Sequence, residues 1–242
     1  MCTVTFLPLG DKVLLTSNRD EKVIRKRAIL PSIARYGETQ ILFPKDAQAG
    51  GTWIGVSEKG TAMVLLNGGF IKHEPAAAYR RSRGLIFLDI LSQTSAFAAF
   101  KKINLIGIEP FTLIIWENAS LHECRWSGEE KYIREMDTTQ PHIWSSVTLY
   151  APDIIQKREH WFRNWLIRYP QPSVTDIRNF HLFGGEGDCE NDICMNRDNT
   201  MATVSVTSIE CESSQAIMLY EDLINQEQNE ERLAFVQQYP VA

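Results

Sequence analysis

Short apolar runs broken by turn residues set the pattern of this chain. Thr3 to Phe6 is β-prone, Gly10-Asp11 is a turn signal and Lys12 to Ser17 is a second strand-like run, which predicts a hairpin over residues 2–20. Ile41-Leu42-Phe43-Pro44 leads into a loop at 45–49, then into Gly50-Gly51-Thr52-Trp53-Ile54-Gly55-Val56. Paired glycines before a bulky aromatic allow either a close backbone approach or a β-bulge. Ala62 to Leu66 is apolar on both faces, as expected of a strand sandwiched between layers, and it stops at Asn67-Gly68-Gly69. A polar, proline-containing stretch at 70–83 precedes a helical pattern at Leu85–Leu91 and a weaker one at Ile103–Ile108. Phe111–Trp116 and Leu121–Trp126 read as two strands joined through Glu117-Asn118-Ala119-Ser120. A helix follows from Pro152 to Arg168, then the final strands Met201–Ile209 and Ala216–Tyr220, with 222–238 as a charged helix or frayed tail.

Composition narrows the class. With 242 residues, 44% hydrophobic, 23% charged and a net charge of -5, the chain suits one globular domain over 1–242 with a substantial core. The acidic balance, and the lack of a basic stripe interleaved with aromatics, argue against a nucleic-acid partner. No apolar run approaches the ~20 residues needed to span a bilayer, and the first residues lack the basic region of a signal peptide, so the expectation is a cytoplasmic protein. Cys2, Cys124, Cys189, Cys194 and Cys211 form no Cys-x-x-Cys pair, and the five histidines show no helical metal-pair spacing. Free thiols, no metal site and no cofactor are expected.

Cys2 is the first candidate for chemistry. Trimming of Met1 would leave one residue holding both a thiol and a free α-amine. A thiol titrates near ~8.5 and an α-amine near ~7.7–8.0, so the amine can take the thiol's proton at neutral pH. The hairpin brings Asn18, Arg19 and Asp20 back beside the chain's start. There a guanidinium could lower the thiol pKa and a carboxylate could orient the α-ammonium; an ordinary Arg-Asp surface pair is the other reading. Asn67, at the end of a buried strand, is either an oxyanion donor or an Asn-Gly turn residue.

Cys2, Asn18-Arg19-Asp20-Glu21, Gly50-Gly51-Thr52-Trp53 and Leu65-Leu66-Asn67 together resemble the NRDE, or transport and Golgi organisation 2, family, whose members look like N-terminal nucleophile hydrolases. The resemblance implies an α+β fold, a four-layer αββα sandwich of two mainly antiparallel sheets with helices on its outer faces. It also implies an Asn67 that donates to an oxyanion, as in penicillin V acylases and bile salt hydrolases. Two departures stand out. The acylase relatives read Arg-Asn-x-Asp where this chain has Ser17-Asn18-Arg19-Asp20, so the arginine is two residues on and shares a strand face with position 17. Ser146 stands where those relatives have a second oxyanion asparagine.

The resemblance implies an amide or ester hydrolase, or acyltransferase, for a small acylated substrate, with Cys2, Arg19, Asp20, Asn67, Ser146 and Arg197 as catalytic candidates. Asn18, Trp53, Gly68, Phe70 and Arg83 are the substrate-binding candidates; apolar residues near Trp53 and Phe70 would suit a hydrophobic acyl chain. Arg83 at a helix mouth can serve an anionic group or simply face solvent, and Arg197 can steady the site or lie on the surface. The glycine-rich acidic segment 183–192 reads as a pocket rim or a cation loop without EF-hand spacing. The rival class is a non-catalytic carrier of an apolar ligand such as haem or acyl-CoA; without Cys-x-x-Cys-His, covalent haem is not expected.

Overall fold

A computed structural model describes residues 3–236. In chain order the elements are β1 (Thr3–Leu9), β2 (Lys12–Lys22), β3 (Ala28–Tyr36), β4 (Thr39–Asp46), β5 (Ile54–Ser57), β6 (Ala62–Asn67), α1 (Arg83–Leu91), α2 (Ala96–Lys102), β7 (Phe111–Glu117), β8 (Ser120–Trp126), β9 (Lys131–Met136), β10 (His142–Ser145), α3 (Pro152–Arg168), α4 (Val174–Phe183), β11 (Asn196–Arg197), β12 (Met201–Cys211), β13 (Gln215–Asp222) and β14 (Glu227–Ala234). One antiparallel sheet runs β3-β4-β5-β6-β7-β8-β9 in chain order; the other runs β10-β1-β2-β12-β13-β14, with the short β11 on β12.

The two sheets face each other, α1 and α2 cover the first, and α3 and α4 cover the second, giving the αββα sandwich. Its layers follow from where the apolar residues lie. Val4, Phe6 and Leu15 of the second sheet pack against Ile54, Val64 and Leu113 of the first, in a core that continues beneath Phe87 and Phe100 of α1 and α2. Leu7 and Leu14 point the other way, onto Phe162, Ile177 and Phe180 of α3 and α4. β1, β2 and β6 are buried along nearly their whole length, as central strands covered on both faces are.

The hairpin is present: Thr3 pairs with Asn18 and Leu9 with Lys12, and Gly10 turns the chain at φ 69°. The double-sided run at 62–66, the 111–126 strand pair and the helix from Pro152 to Arg168 also form. Three local expectations fail. β4 continues through Lys45-Asp46, which reads as loop in the sequence, because Asp46 turns inward to arginines. The stretch 103–108 is a turn rather than a helix, the helix having formed one segment earlier at Ala96. Residues 227–234 are an edge strand rather than a helix or tail: Asp222 accepts from the Ile224 and Asn225 amides to build a turn, and the charged side chains then line an outer edge while Leu233 is buried. α4 is not among the expected elements, though its Ser173/Asp176 capping box marks its start.

The paired glycines resolve as a close approach. A Cβ on Gly51 would lie 2.3 Å from the backbone carbon of Gly84, so the first turn of α1 sits directly on the strand-connecting segment, and the Thr52 amide donates to the Gly84 carbonyl.

Candidate active site

β2 is central to its sheet, and its alternation sends neighbouring side chains to opposite faces. Arg19 points between the sheets. Its Nη2 donates to Asp46 Oδ2 at 2.9 Å, and its guanidinium carbon sits 4.5 Å from the centre of the Trp53 ring. Asp46 also receives Arg25 on Oδ2 and the amides of Gln48 and Ala49 on Oδ1. Burial pushes the Asp46 carboxyl up, but the Ala49 amide and the charges of Arg25 and Arg19 outweigh it, and its pKa is lowered. Asp46 is thereby a fixed anion that holds Arg19 against Trp53.

Asp20 points to the opposite face, toward the α3 layer. The Tyr150 hydroxyl donates to its Oδ2 at 2.7 Å and the Thr203 hydroxyl to its Oδ1 at 2.6 Å. A register shift in β12 between Thr203 and Ser205 sets this up: Thr203 pairs with Asp20 and Ser205 with Arg19, so two β12 residues that would share a face serve opposite ones. Behind Tyr150 lies Arg158, fully buried, with its guanidinium carbon 3.5 Å from the ring centre. Arg158 has no carboxylate within ion-pair distance among the described residues; it donates to the Thr3 hydroxyl and to the carbonyls of Asn191 and Asp192. The acidic segment at 183–192 therefore supplies backbone acceptors to a buried cation, and Asp192 folds back onto the amides of Glu186 and Gly187. Among the described residues no group of His, Cys, Asp and Glu is arranged to hold a metal ion.

A cavity of about 290 Å³ opens where the first sheet meets α1, and it gathers Arg19, Trp53, Asn67 and Arg83. Its charges balance: Arg19, Arg25 and Arg83 face Glu21, Asp46 and Glu109, and Arg83 pairs with Glu109 at 3.1 Å. Trp53 is 3% exposed, and its indole Nε1 has no hydrogen-bond partner among the described residues. The Asn67 carboxamide makes no hydrogen bond among them either, while its backbone carbonyl accepts from Ser146 Oγ at 2.9 Å. Asn67 is not the corner of a tight hairpin: β6 continues, through the long excursion carrying α1 and α2, to a partner in β7, and Asn67 pairs with Phe111.

Other candidates lie elsewhere. Asn18 is fully buried on the helix-facing side, where its Nδ2 donates to the carbonyls of His181 and Ile193 and its Oδ1 accepts from His181 Nδ1. His181 Nε2 then accepts from the Thr5 hydroxyl, which fixes a neutral ring; burial lowers its pKa to about 3, with help from the charges of Arg178 and Arg158. Phe70 is half-exposed, edge-on to Tyr132 and under Arg125, outside the cavity. Arg197 donates to the carbonyls of Leu149 and Glu190 and lies 5.4 Å from the Tyr150 ring, one residue removed from Asp20. Cys2 and Met1 lie outside the described residues. Tyr150, Thr203, Arg158 and Asp46 give no signal in the sequence.

A family model described as Transport and Golgi organisation 2 matches residues 1–169. The chain belongs to the Transport and Golgi organisation 2 family. No curated protein matches it. Among solved structures, the C2A mutant of conjugated bile acid hydrolase from Clostridium perfringens superposes with a TM-score of 0.63 at 12% identity, over 98% of this chain and 97% of that one. Penicillin V acylase from Agrobacterium tumefaciens gives 0.59 at 9% identity, over 95% and 85%. The Caenorhabditis elegans ortholog of N-acylethanolamine-hydrolyzing acid amidase gives 0.60 at 13%, over 86% and 92%. These likenesses establish that this Transport and Golgi organisation 2 chain has the N-terminal nucleophile hydrolase fold. Among its described residues no helix is long and apolar enough to cross a membrane.

Proposed function

We propose that this chain is an N-terminal cysteine hydrolase or acyltransferase acting on the amide or ester bond of a small acylated substrate. The observation that carries the reading is the position of Asp20 and Asn67. Asp20 is held by two hydroxyl donors beside the strand that starts at Thr3, and Asn67 lines a cavity together with Arg19, Trp53 and Arg83. Neighbours of the same fold include a bile acid hydrolase studied as its C2A mutant.

In the proposed cycle, the α-amine of Cys2 takes the thiol proton and the sulfur attacks the substrate carbonyl carbon. A C–S bond forms as the carbonyl π pair moves onto oxygen, where the Asn67 carboxamide donates. Collapse breaks the bond to the leaving amine or alcohol, which receives the proton from the α-ammonium. Water, or an acceptor amine or alcohol, then attacks the thioester and restores the thiol. Asp20 orients the α-ammonium, and Arg19, fixed by Asp46, sets the charge of the cavity. Ser146 holds the Asn67 backbone in place.

Intact mass before and after treatment with a thiol-reactive probe tests the mechanism. The expected result is a chain lighter by one methionine, with a label at neutral pH that disappears in Cys2→Ala. Cys189 is exposed and is replaced by alanine as a control; Cys124 and Cys211 are buried, with thiols pushed up to about 12 by burial first. Retained methionine, or acyl turnover that survives Cys2→Ala, would end the reading.

A further inference from the structure

A second, larger cavity of about 760 Å³ is lined by the segments that follow Asn67 and Ser146 in the chain. Its size falls within the ~300–1,000 Å³ of small-molecule sites. One wall is Phe70 and Ile71, three and four residues past Asn67; the other is Val147, Leu149, Tyr150 and Ile155, which begins one residue past Ser146. Both walls thus spring from the two residues that meet where Ser146 Oγ donates to the Asn67 carbonyl. The junction is tight: Gly68 has φ 84°, and a Cβ there would lie 2.6 Å from Val147 Cγ2 and 2.7 Å from Thr148 Cγ2. The groove is linked to Asp20 as well, because Tyr150 lines it and donates to Asp20.

The groove is mainly apolar, with Lys72, Gln156 and Glu159 also among its lining residues. Ile71 is 76% exposed and Phe70 49% exposed on its lip, apolar surface that water covers in the free protein. The first cavity carries three arginines and three carboxylates. We infer that the groove takes the acyl chain of the substrate, an unbranched or weakly branched apolar chain rather than an acetyl group, while the leaving group occupies the charged cavity. This rests on the acyl-transfer reading, since it is the carbonyl at Asn67 that joins the two halves of the substrate.

Two experiments separate the groove from the chemistry. Calorimetric titration of Cys2→Ala protein with straight-chain fatty acids of increasing length, below their micellar concentrations, measures the groove without turnover. Kd is expected to fall roughly fourfold per methylene until the groove is full. Ile71→Asp, at an exposed position, and Ile155→Asp should each weaken dodecanoate binding by roughly tenfold or more, because a carboxylate then faces the chain. Binding independent of chain length, or unchanged in both variants, would overturn the groove assignment. The second experiment follows kcat/KM of the wild-type protein on N-acyl amides of the same chain lengths. Turnover without any chain-length dependence refutes the groove and spares the hydrolase; length-dependent binding without turnover of any substrate keeps the groove and refutes the hydrolase.

Discussion

At the scale of single residues, Asp20 is held by the Tyr150 and Thr203 hydroxyls, with the buried Arg158 cation behind the Tyr150 ring. Tyr150→Phe removes the 2.7 Å donor to Asp20 Oδ2 and leaves the ring on Arg158. We expect kcat on any acyl substrate to drop about tenfold, roughly 1.4 kcal/mol of barrier, with a stability loss near 1 kcal/mol. Because the groove-facing ring remains, KM should change little, and the pH profile of Cys2 alkylation should move. Arg158→Met is a harsher change: it orphans the carbonyls of Asn191 and Asp192 and the Thr3 hydroxyl, and a urea titration should show roughly 2–4 kcal/mol lost. Arg19, Trp53 and Asn67 stand in short contiguous motifs and Arg83 at a helix mouth, and the fold gathers these four candidates around one cavity. Asp20's partners cannot be read the same way: Thr203 is 183 residues away and Tyr150 is 130, and no local pattern distinguishes a tyrosine that bonds a carboxylate from one that packs. Asn18 is a motif residue whose carboxamide is instead taken up by the His181 and Ile193 carbonyls, in α4 and the loop before β11.

At the scale of elements, strands are more legible than helices. Alternation and turn chemistry locate the first hairpin and the 111–126 pair, since Gly10, Asn118 and Ala119 adopt the positive φ such turns need. α4 is readable in principle, since Val174, Ile177, Phe180 and Phe183 recur every three residues behind the capping box, but at ten residues the pattern covers fewer than three turns. β14 escapes because charged residues with good helix propensity are overridden by pairing along the edge of β13. The element most exposed to a small change is α1. Gly51→Ala places a methyl carbon inside the Gly84 backbone, so the N-terminus of α1, and Arg83 with it, must lift from the sheet. Thermal unfolding should report about 1–3 kcal/mol of destabilisation, while Ser173→Ala at the α4 cap should cost about 1 kcal/mol and leave the cavity intact.

At the scale of the whole molecule, one of the two sheets is assembled from early and late strands of the chain while the other follows chain order. β2 lies between β1 and β12, so residues beyond 169 complete the sheet that the first hairpin begins. A fragment of 1–169 should remain unfolded or aggregate, measured by circular dichroism and sedimentation, because its β2 edge and the apolar face under α4 are uncovered. Acid should also act on the molecule as a whole through His181. Its folded pKa, about 3, lies below the ordinary 6.5, so the unfolded chain binds the extra proton. Its contribution is complete above about pH 6.5 and is lost as pH falls toward 3, with a slope of roughly 1.4 kcal/mol per pH unit. Denaturation at stepped pH should show that slope, and His181→Gln should flatten it.

The pairing of Asp20 with Thr203 also sets a schedule. At about 5–20 residues added per second during synthesis, the 183 residues between them take roughly 10–40 s to appear. For that interval the first hairpin has been made but β12 has not, and Asp20 lacks one of its two hydroxyl donors. Any enzyme that acts on the start of the chain during synthesis therefore meets a first hairpin whose β2 edge has not yet received β12.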